Sequence, residues 1–303
     1  MGNPRVFPGY RGYADVDTIG QIRFGDAGIT ASQEINAPDL IMGDWDHDAY
    51  VYGPIKVGGS ISGPVTETFA DPTNGIFTWG CKRDGECGIL VEHDLTLYYY
   101  CGSPDGGNIY RARTFSEMQI NSLNFSCAAG DISNFSIDVV GTAAGAWQSV
   151  NPPINLGIAG TKPSEKLVTW DKVGVAIAPG SDESVTQVDF TTLNYSNFDF
   201  TIGNNIETVY SLGQPNLFPF ELVPGLRTIT GSLSVYNTPL FDGRDAWDDY
   251  LAANVSTMTF NIGALSISMF VRFHRVEPAS SVGPIISTVG FTGVTHQTGA
   301  PWE

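Results

Sequence analysis

Apolar and polar residues take turns along much of this chain. Phe135, Ile137 and Val139 are separated by Ser136 and Asp138; Phe198, Phe200 and Ile202 are separated by Asp199 and Thr201; Ile229, Leu233 and Val235 stand among Thr230, Ser232 and Ser234. A period of two marks a strand with one face in a core and the other in water. This reading predicts strands over residues 22–24, 55–65, 95–100, 123–125 and 135–140 in the first half. In the second half it predicts them over 185–190, 198–202, 226–235, 258–261 and 267–273. Ala128, Ala129, Gly130 and Asp131 form a turn signal, so residues 123–140 read as a hairpin. One segment departs from the pattern. Over residues 240–254, Asp242 is placed to cap a helix with Ala246, Trp247, Tyr250 and Leu251 on its apolar side. Asp245, Asp248 and Asp249 fall early in that helix, where its dipole favours negative charge.

Composition supports the strand reading. Long helical patterns are nearly absent, and 35 Gly with 18 Pro supply the turns that an all-β fold needs. Hydrophobic residues at 42% are enough to bury a core. The formal charge of −17 excludes a free nucleic-acid binder, because phosphate contacts need Lys and Arg in excess. An acidic surface instead lets DNA pass without sticking. No apolar run reaches the length of a membrane span, and the first residues lack the apolar stretch of a signal peptide. A chain made and kept in the cytoplasm is expected, in which thiols or metal ligands are the expected states of cysteine.

The sequence echoes itself. Asn36 to Gly43, then Pro54 to Gly58, then Ser60-Ile61-Ser62-Gly63 run in the same order as Asn205 to Gly213, Pro219 to Gly225 and Thr228-Ile229-Thr230-Gly231. Ser122-Leu123-Asn124-Phe125 is echoed by Thr257-Met258-Thr259-Phe260. The echoes are unequally spaced, which points to extra residues in the first half. Residues 144–163, with Pro152, Pro153 and three Gly, read as irregular chain. The expected organisation is a first domain over residues 13–145 with an insertion at about 71–107, a linker over 146–165, a second domain over 166–278 and a C-terminal extension over 279–303. The insertion is expected to decorate the exterior or clasp a neighbouring subunit, so that deleting most of it leaves the protein foldable.

Within the second half, Val185-Thr186-Gln187-Val188-Asp189-Phe190, then Phe198 to Glu207, then Tyr210-Ser211-Leu212-Gly213 and Gly225 to Leu233 resemble the tail tube proteins of long-tailed bacteriophages. The hairpin over residues 122–140 is similar to the segment that closes the first repeat in that family. The resemblance implies two tandem β-sandwich or half-barrel domains, each with a short flanking helix, whose inner sheets join edge to edge into a shared barrel. It implies a structural virion protein, not an enzyme, that forms stacked rings around a DNA conduit. Duplication makes the expected ring a homotrimer with pseudo-sixfold shape. Expected partners are the chain itself, a tape measure protein and other tail proteins, and DNA that passes without specific binding; no membrane is involved. Assembly in the host cytoplasm, location in the virion and a mainly acidic channel complete the expectation. The loops implied to contact neighbouring subunits or rings hold Asp44, Trp45, Asp46 and His47 in one repeat, and Gln214, Asn216 and Phe218 in the other.

Other chemistry weighs less. Asp44, Asp46 and Asp48 have oxygens suited to Ca²⁺, yet EF-hand spacing is absent and a solvated acidic loop is the plainer reading. Cys81, Cys87, Cys101 and Cys127 match no usual zinc or iron–sulfur spacing; ordinary thiols or a late disulfide fit better, and no cofactor is expected. No nucleophile elbow, metalloprotease motif or phosphate loop is present. A carbohydrate-binding or hydrolytic β-sandwich, or another tail ring such as a hub or terminator, are the competing readings.

Overall fold

The computed structural model describes residues 12–22, 24–36, 51–67, 69–71, 75–81, 83–84, 89–100, 110–150, 166–178, 195–212, 216–236, 255–279 and 286–294. The chain is all-β. Its strands in the first half are β1 (Gly12–Val16), β2 (Gly20–Ile22), β3 (Asp26–Ala27), β4 (Thr30–Asn36), β5 (Val51–Pro64), β6 (Arg83–Asp84), β7 (Ile89–Leu90), β8 (His93–Tyr100), β9 (Tyr110–Ala128), β10 (Asn134–Gly141), β11 (Ala143–Ala144) and β12 (Gln148–Val150). The second half adds β13 (Val173–Ala178), β14 (Tyr195–Gly203), β15 (Glu207–Val209), β16 (Glu221–Val223), β17 (Thr228–Tyr236), β18 (Ser256–Ile262), β19 (Leu265–Ala279) and β20 (Ile286–Gly293). A single described α-helix, α1 (Ile76–Cys81), lies between β5 and β6.

One sheet runs through both halves, in the order β13-β18-β19-β20-β17-β14-β9-β10-β5-β3. The halves meet where β14 pairs antiparallel with β9, Phe200 opposite Phe125 and Ile202 opposite Leu123. The period-two residues explain the packing. Phe135, Ile137 and Val139 on β10, Phe125 on β9 and Phe198, Phe200 and Ile202 on β14 are all buried. Phe125 lies 5.3 Å from Phe198 and 5.6 Å from Phe200, ring centre to ring centre, and Phe260 on β18 lies 5.1 Å from Phe198. Each such ring contributes about 1.5–3 kcal/mol by leaving water. Space for them is made opposite: a Cβ on Gly231 would come within 2.4 Å of the Phe291 ring that faces it across β17 and β20.

β9 belongs to two layers. Its first part pairs with β8, β11 and β12, and its last part with β10 and β14. Between these parts Glu117 takes φ 52°, a left-handed backbone that turns the strand. The Asp94 carboxylate accepts the Glu117 N–H at 3.1 Å, and the Thr142 hydroxyl donates to the Glu117 carboxylate, which holds the bend.

Four expectations change. The described part of residues 71–107 is not a removable appendage: Ile76, Phe77 and Trp79 of α1 and Leu95 and Leu97 of β8 are in the core. Periodicity missed α1 because it is a short, nearly all-buried helix with no polar face to reveal it. The stretch beginning at Ala144 is not wholly irregular, since β11 and β12 pair with β9 as far as Val150. The strand expected over residues 22–24 ends at Ile22. The helix expected over residues 240–254 and the strand over 185–190 lie outside the described residues; within the C-terminal extension expected over residues 279–303, Ile286–Gly293 form β20, which pairs with β17 and β19 inside the long sheet.

Candidate assembly surfaces

The outward face of the long sheet is built mainly from short neutral side chains. It follows from the strand alternation: once Phe, Ile, Leu and Val turn inward, the intervening Ser, Thr and Asn turn out. Neighbouring strands then hydrogen-bond side chain to side chain. The Ser122 hydroxyl donates to Asp138 at 2.6 Å, Ser232 to Asp199 at 2.5 Å, and the Asn124 amide to the Thr201 hydroxyl at 2.9 Å. Thr259 and Ser268 lie 2.8 Å apart, and Ser234 and Thr288 3.4 Å. These links cross β9–β10, β14–β17, β14–β9, β18–β19 and β17–β20 in turn, so the face satisfies much of its own hydrogen bonding. Asp138 and Asp199 are each met by a serine hydroxyl.

A buried polar joint ties the halves together beneath this face. Asn204 follows β14 and is fully buried. Its amide nitrogen donates to the Gly80 and Ile120 carbonyls at 2.9 and 2.8 Å. Its side-chain oxygen accepts Arg227 Nε at 2.9 Å, and the same guanidinium reaches the Cys81 carbonyl at 2.8 Å. Asn204 and Arg227 therefore close the C-terminal end of α1, whose last carbonyls have no partner within the helix. Asn121 completes the joint: its carbonyl accepts the Asn204 N–H at 2.7 Å and its side-chain oxygen the Ile206 N–H at 2.8 Å.

Two strand pairs extend from the sheet, β4 with the start of β5, and β15 with β16. They touch: the Ile55 N–H donates to the Leu217 carbonyl at 2.7 Å, and the Tyr210 hydroxyl donates to the Ile55 carbonyl at 3.3 Å. Of the expected contact residues, Asn216 is exposed and Phe218 half-buried against the core; Asp44, Trp45, Asp46, His47 and Gln214 lie outside the described residues. A signal the sequence reading passed over is apolar exposure on the second extension. Leu212 is fully exposed, and Val209, Tyr210, Leu217, Phe220 and Val223 are also in solvent. A cluster of this kind marks a contact surface.

Cys81 and Cys127 are buried free thiols, and among the described residues no group of three or more His, Cys, Asp or Glu could hold an ion. Burial pushes the Cys81 thiol up to about 12, against a smaller opposing pull from Arg227. Burial also raises Cys127. Both are thus poor nucleophiles. Cys87 and Cys101 lie outside the described residues. His93 packs edge-on to Trp79 at 5.4 Å, and burial lowers its imidazole below the ordinary value. No described helix is long and apolar enough to cross a membrane.

No curated protein matches the chain. A family model described as phage tail tube protein matches residues 8–293. The match takes in both halves, the β14–β9 junction and the buried joint, and the chain belongs to the phage tail tube protein family.

Proposed function

We propose that this chain forms the wall of a tail tube, assembling with copies of itself into stacked rings that enclose the conduit for DNA ejection. The polar face of the long sheet carries the reading and is assigned to the lumen. A wall that bonds to itself through serine, threonine and asparagine offers phosphate few free donors. On the polar face of the long sheet, among the described side chains, charges are few and mixed: Asp26, Asp138 and Asp199 against Lys56 and Arg272. The channel is therefore close to neutral rather than strongly acidic, and the excess negative charge of the chain falls elsewhere. A neutral wall and an acidic one share the useful property, which is that neither grips a polyanion.

The halves read as two copies of one unit. β1-β8-β9-β10-β5-β3 in the first half has the same neighbour order as β13-β18-β19-β20-β17-β14 in the second. This order matches β9 with β19 and β8 with β18, which replaces the echo of residues 122–125 with 257–260. It leaves the echo of Ser60-Ile61-Ser62-Gly63 with Thr228-Ile229-Thr230-Gly231 in place, on β5 and β17. It also makes α1 the counterpart of the segment around residues 240–254, so that extra residues in the first half shrink to the surroundings of β6 and β7 and the stretch after β8. With two units per chain, a homotrimer gives the pseudo-sixfold ring. Partners in this role are the chain itself, a tape measure protein inside the tube and the adjoining tail proteins; assembly takes place in the host cytoplasm and the product is a virion component. The protein acts by shape, without catalysis. The exposed apolar second extension favours a stacking ring over a terminal one, since stacked rings have somewhere to bury it.

Negative-stain microscopy of the purified chain tests the proposal. Rings or tubes with threefold symmetry, formed without ligand, are the expected result. A monodisperse monomer that binds or cleaves sugar would replace it with the carbohydrate reading.

A further inference from the structure

β14 ends next to Asn204 and the second extension, and at its other end it starts beside a cleft of about 550 Å³. The cleft lies between the starts of β13 and β14, the ends of β9 and β17, and the short turn Trp170–Lys172 that leads into β13. That volume suits a small ligand. Phe198 and Cys127 are the buried members of the lining and face each other across β14 and β9, so they form its floor on the core side of the long sheet. Trp170, Tyr195 and Tyr236 supply aromatic walls.

The walls are held in place before any ligand arrives. Trp170 is 51% exposed, yet its N–H donates to the Asp131 carbonyl at 3.2 Å, and the Lys172 N–H donates to the Thr169 carbonyl at 2.9 Å. The Tyr195 hydroxyl accepts the Val175 N–H at 2.6 Å and donates to the Val175 carbonyl at 3.1 Å, which fixes its ring against β13. The charge of the lining has one sign. Asp171 is exposed at the rim, and the Thr169 hydroxyl donates to its carboxylate. No Lys or Arg lines the cleft, since Lys172 lines a separate one with Glu67. Burial raises the Cys127 thiol, and the charge of Asp131 adds to that rise, so the floor also lies in a negative potential.

We infer that this cleft binds an organic ammonium ion, its cationic head against the Trp170 and tyrosine rings and the Asp171 carboxylate as counter-charge. Aromatic faces carry negative potential, and tryptophan attracts a cation best. An anion would meet Asp171 and Asp131 with no cation in the lining to offset them. A metal ion finds too few ligands, since among the described residues no group of three His, Cys, Asp or Glu could hold one. A neutral apolar molecule would leave the rim carboxylate without a role. The same chemistry is carried by a quaternary headgroup of the choline kind and by the primary ammonium of a lysine side chain. Both bring a charge wrapped in hydrocarbon, which suits rings beside a carboxylate. The floor faces away from the polar sheet face, so this site is separate from the proposed lumen and stands whether or not the chain forms tubes.

The test compares ligands of equal shape and different charge on the full chain, by saturation-transfer NMR titration. Choline and n-butylammonium stand for the two sources, and 3,3-dimethylbutan-1-ol is the uncharged counterpart of choline. At least one ammonium is expected to bind about tenfold or more tightly than the alcohol. The tighter of the two identifies the source, a quaternary headgroup or a lysine side chain. Trp170→Leu is expected to abolish that binding, and Asp171→Asn, which keeps the shape of the rim, to weaken it about tenfold. Trp147→Leu removes another exposed indole, remote from the cleft, and should change nothing. Circular dichroism and urea unfolding establish that each variant is folded. An alcohol that binds as well as the ammonium ions, or a folded Trp170→Leu chain that binds them unchanged, overturns the assignment. So does an unmodified chain that binds neither ammonium, or one that prefers N-acetylglucosamine to both. Ring and tube formation is scored separately by microscopy, so a failure of this site and a failure of the tube reading are told apart.

Discussion

At the scale of single residues, the most consequential side chain is an uncharged one. Asn204 satisfies two carbonyls and one guanidinium N–H at once, in a fully buried site. Asn204→Ala removes all three hydrogen bonds, and a loss of about 3 kcal/mol is expected in urea unfolding. Its neighbour Asn205 is exposed and donates to the Leu226 carbonyl at 2.6 Å. Asn205→Gly, which keeps the left-handed backbone at φ 50°, should cost less than about 1 kcal/mol in the same measurement. Equal losses would mean that the joint does not depend on Asn204. The sequence placed both asparagines in the segment that resembles the family, yet nothing there separated them. Burial decides which one matters, and burial at this point comes from α1 and β9, more than eighty positions away in the chain. The inward and outward residues of β10, β14 and β17, by contrast, were legible at once. Their environment is set by the strand they sit on, so local alternation was enough.

At the scale of elements, the lesson lies in α1 and β8. A segment that interrupts a repeat, rich in glycine and cysteine, invites the reading of a surface insertion. Periodicity has little to work with in a six-residue helix that buries Ile76, Phe77, Trp79, Gly80 and Cys81 together. Only the assembled core discloses that it fills the space above β9. Removing most of residues 71–107 is therefore expected to abolish folding, with loss of the cooperative unfolding transition and of the native circular dichroism spectrum. The milder Trp79→Ala should cost about 3–5 kcal/mol through the cavity it leaves. Its indole N–H also gives up a hydrogen bond of 3.1 Å to the Val91 carbonyl. A deletion variant that still unfolds cooperatively would restore the insertion reading. Strand ends were misjudged for a related reason. β9 runs over 19 residues, where alternation suggested only residues 123–125 near its end, because the bend at Glu117 shifts the phase of the pattern.

At the scale of the whole molecule, two surfaces have separate duties in the proposed assembly. The sheet edges join chains within a ring, and the apolar extension around Leu212 and Phe220 meets the adjoining ring. Leu212→Asp with Phe220→Asp should therefore leave single rings intact and stop them from stacking, seen by microscopy as rings without tubes. Loss of the rings themselves would show that the extension also acts within a ring. The family was legible in the sequence because its segments on β14 and β17 lie close together along the chain. The pairing of the halves was not, since β9 and β14 are brought together across the whole linker. That pairing has a kinetic meaning. Because β14 adds to β9 inside one chain, this junction forms at an effective concentration set by the tether, whatever the dilution of the protein. In a ring built from such chains every second seam is a first-order event. Only the remaining seams wait on collisions, and those alone respond to how much protein the cell has made.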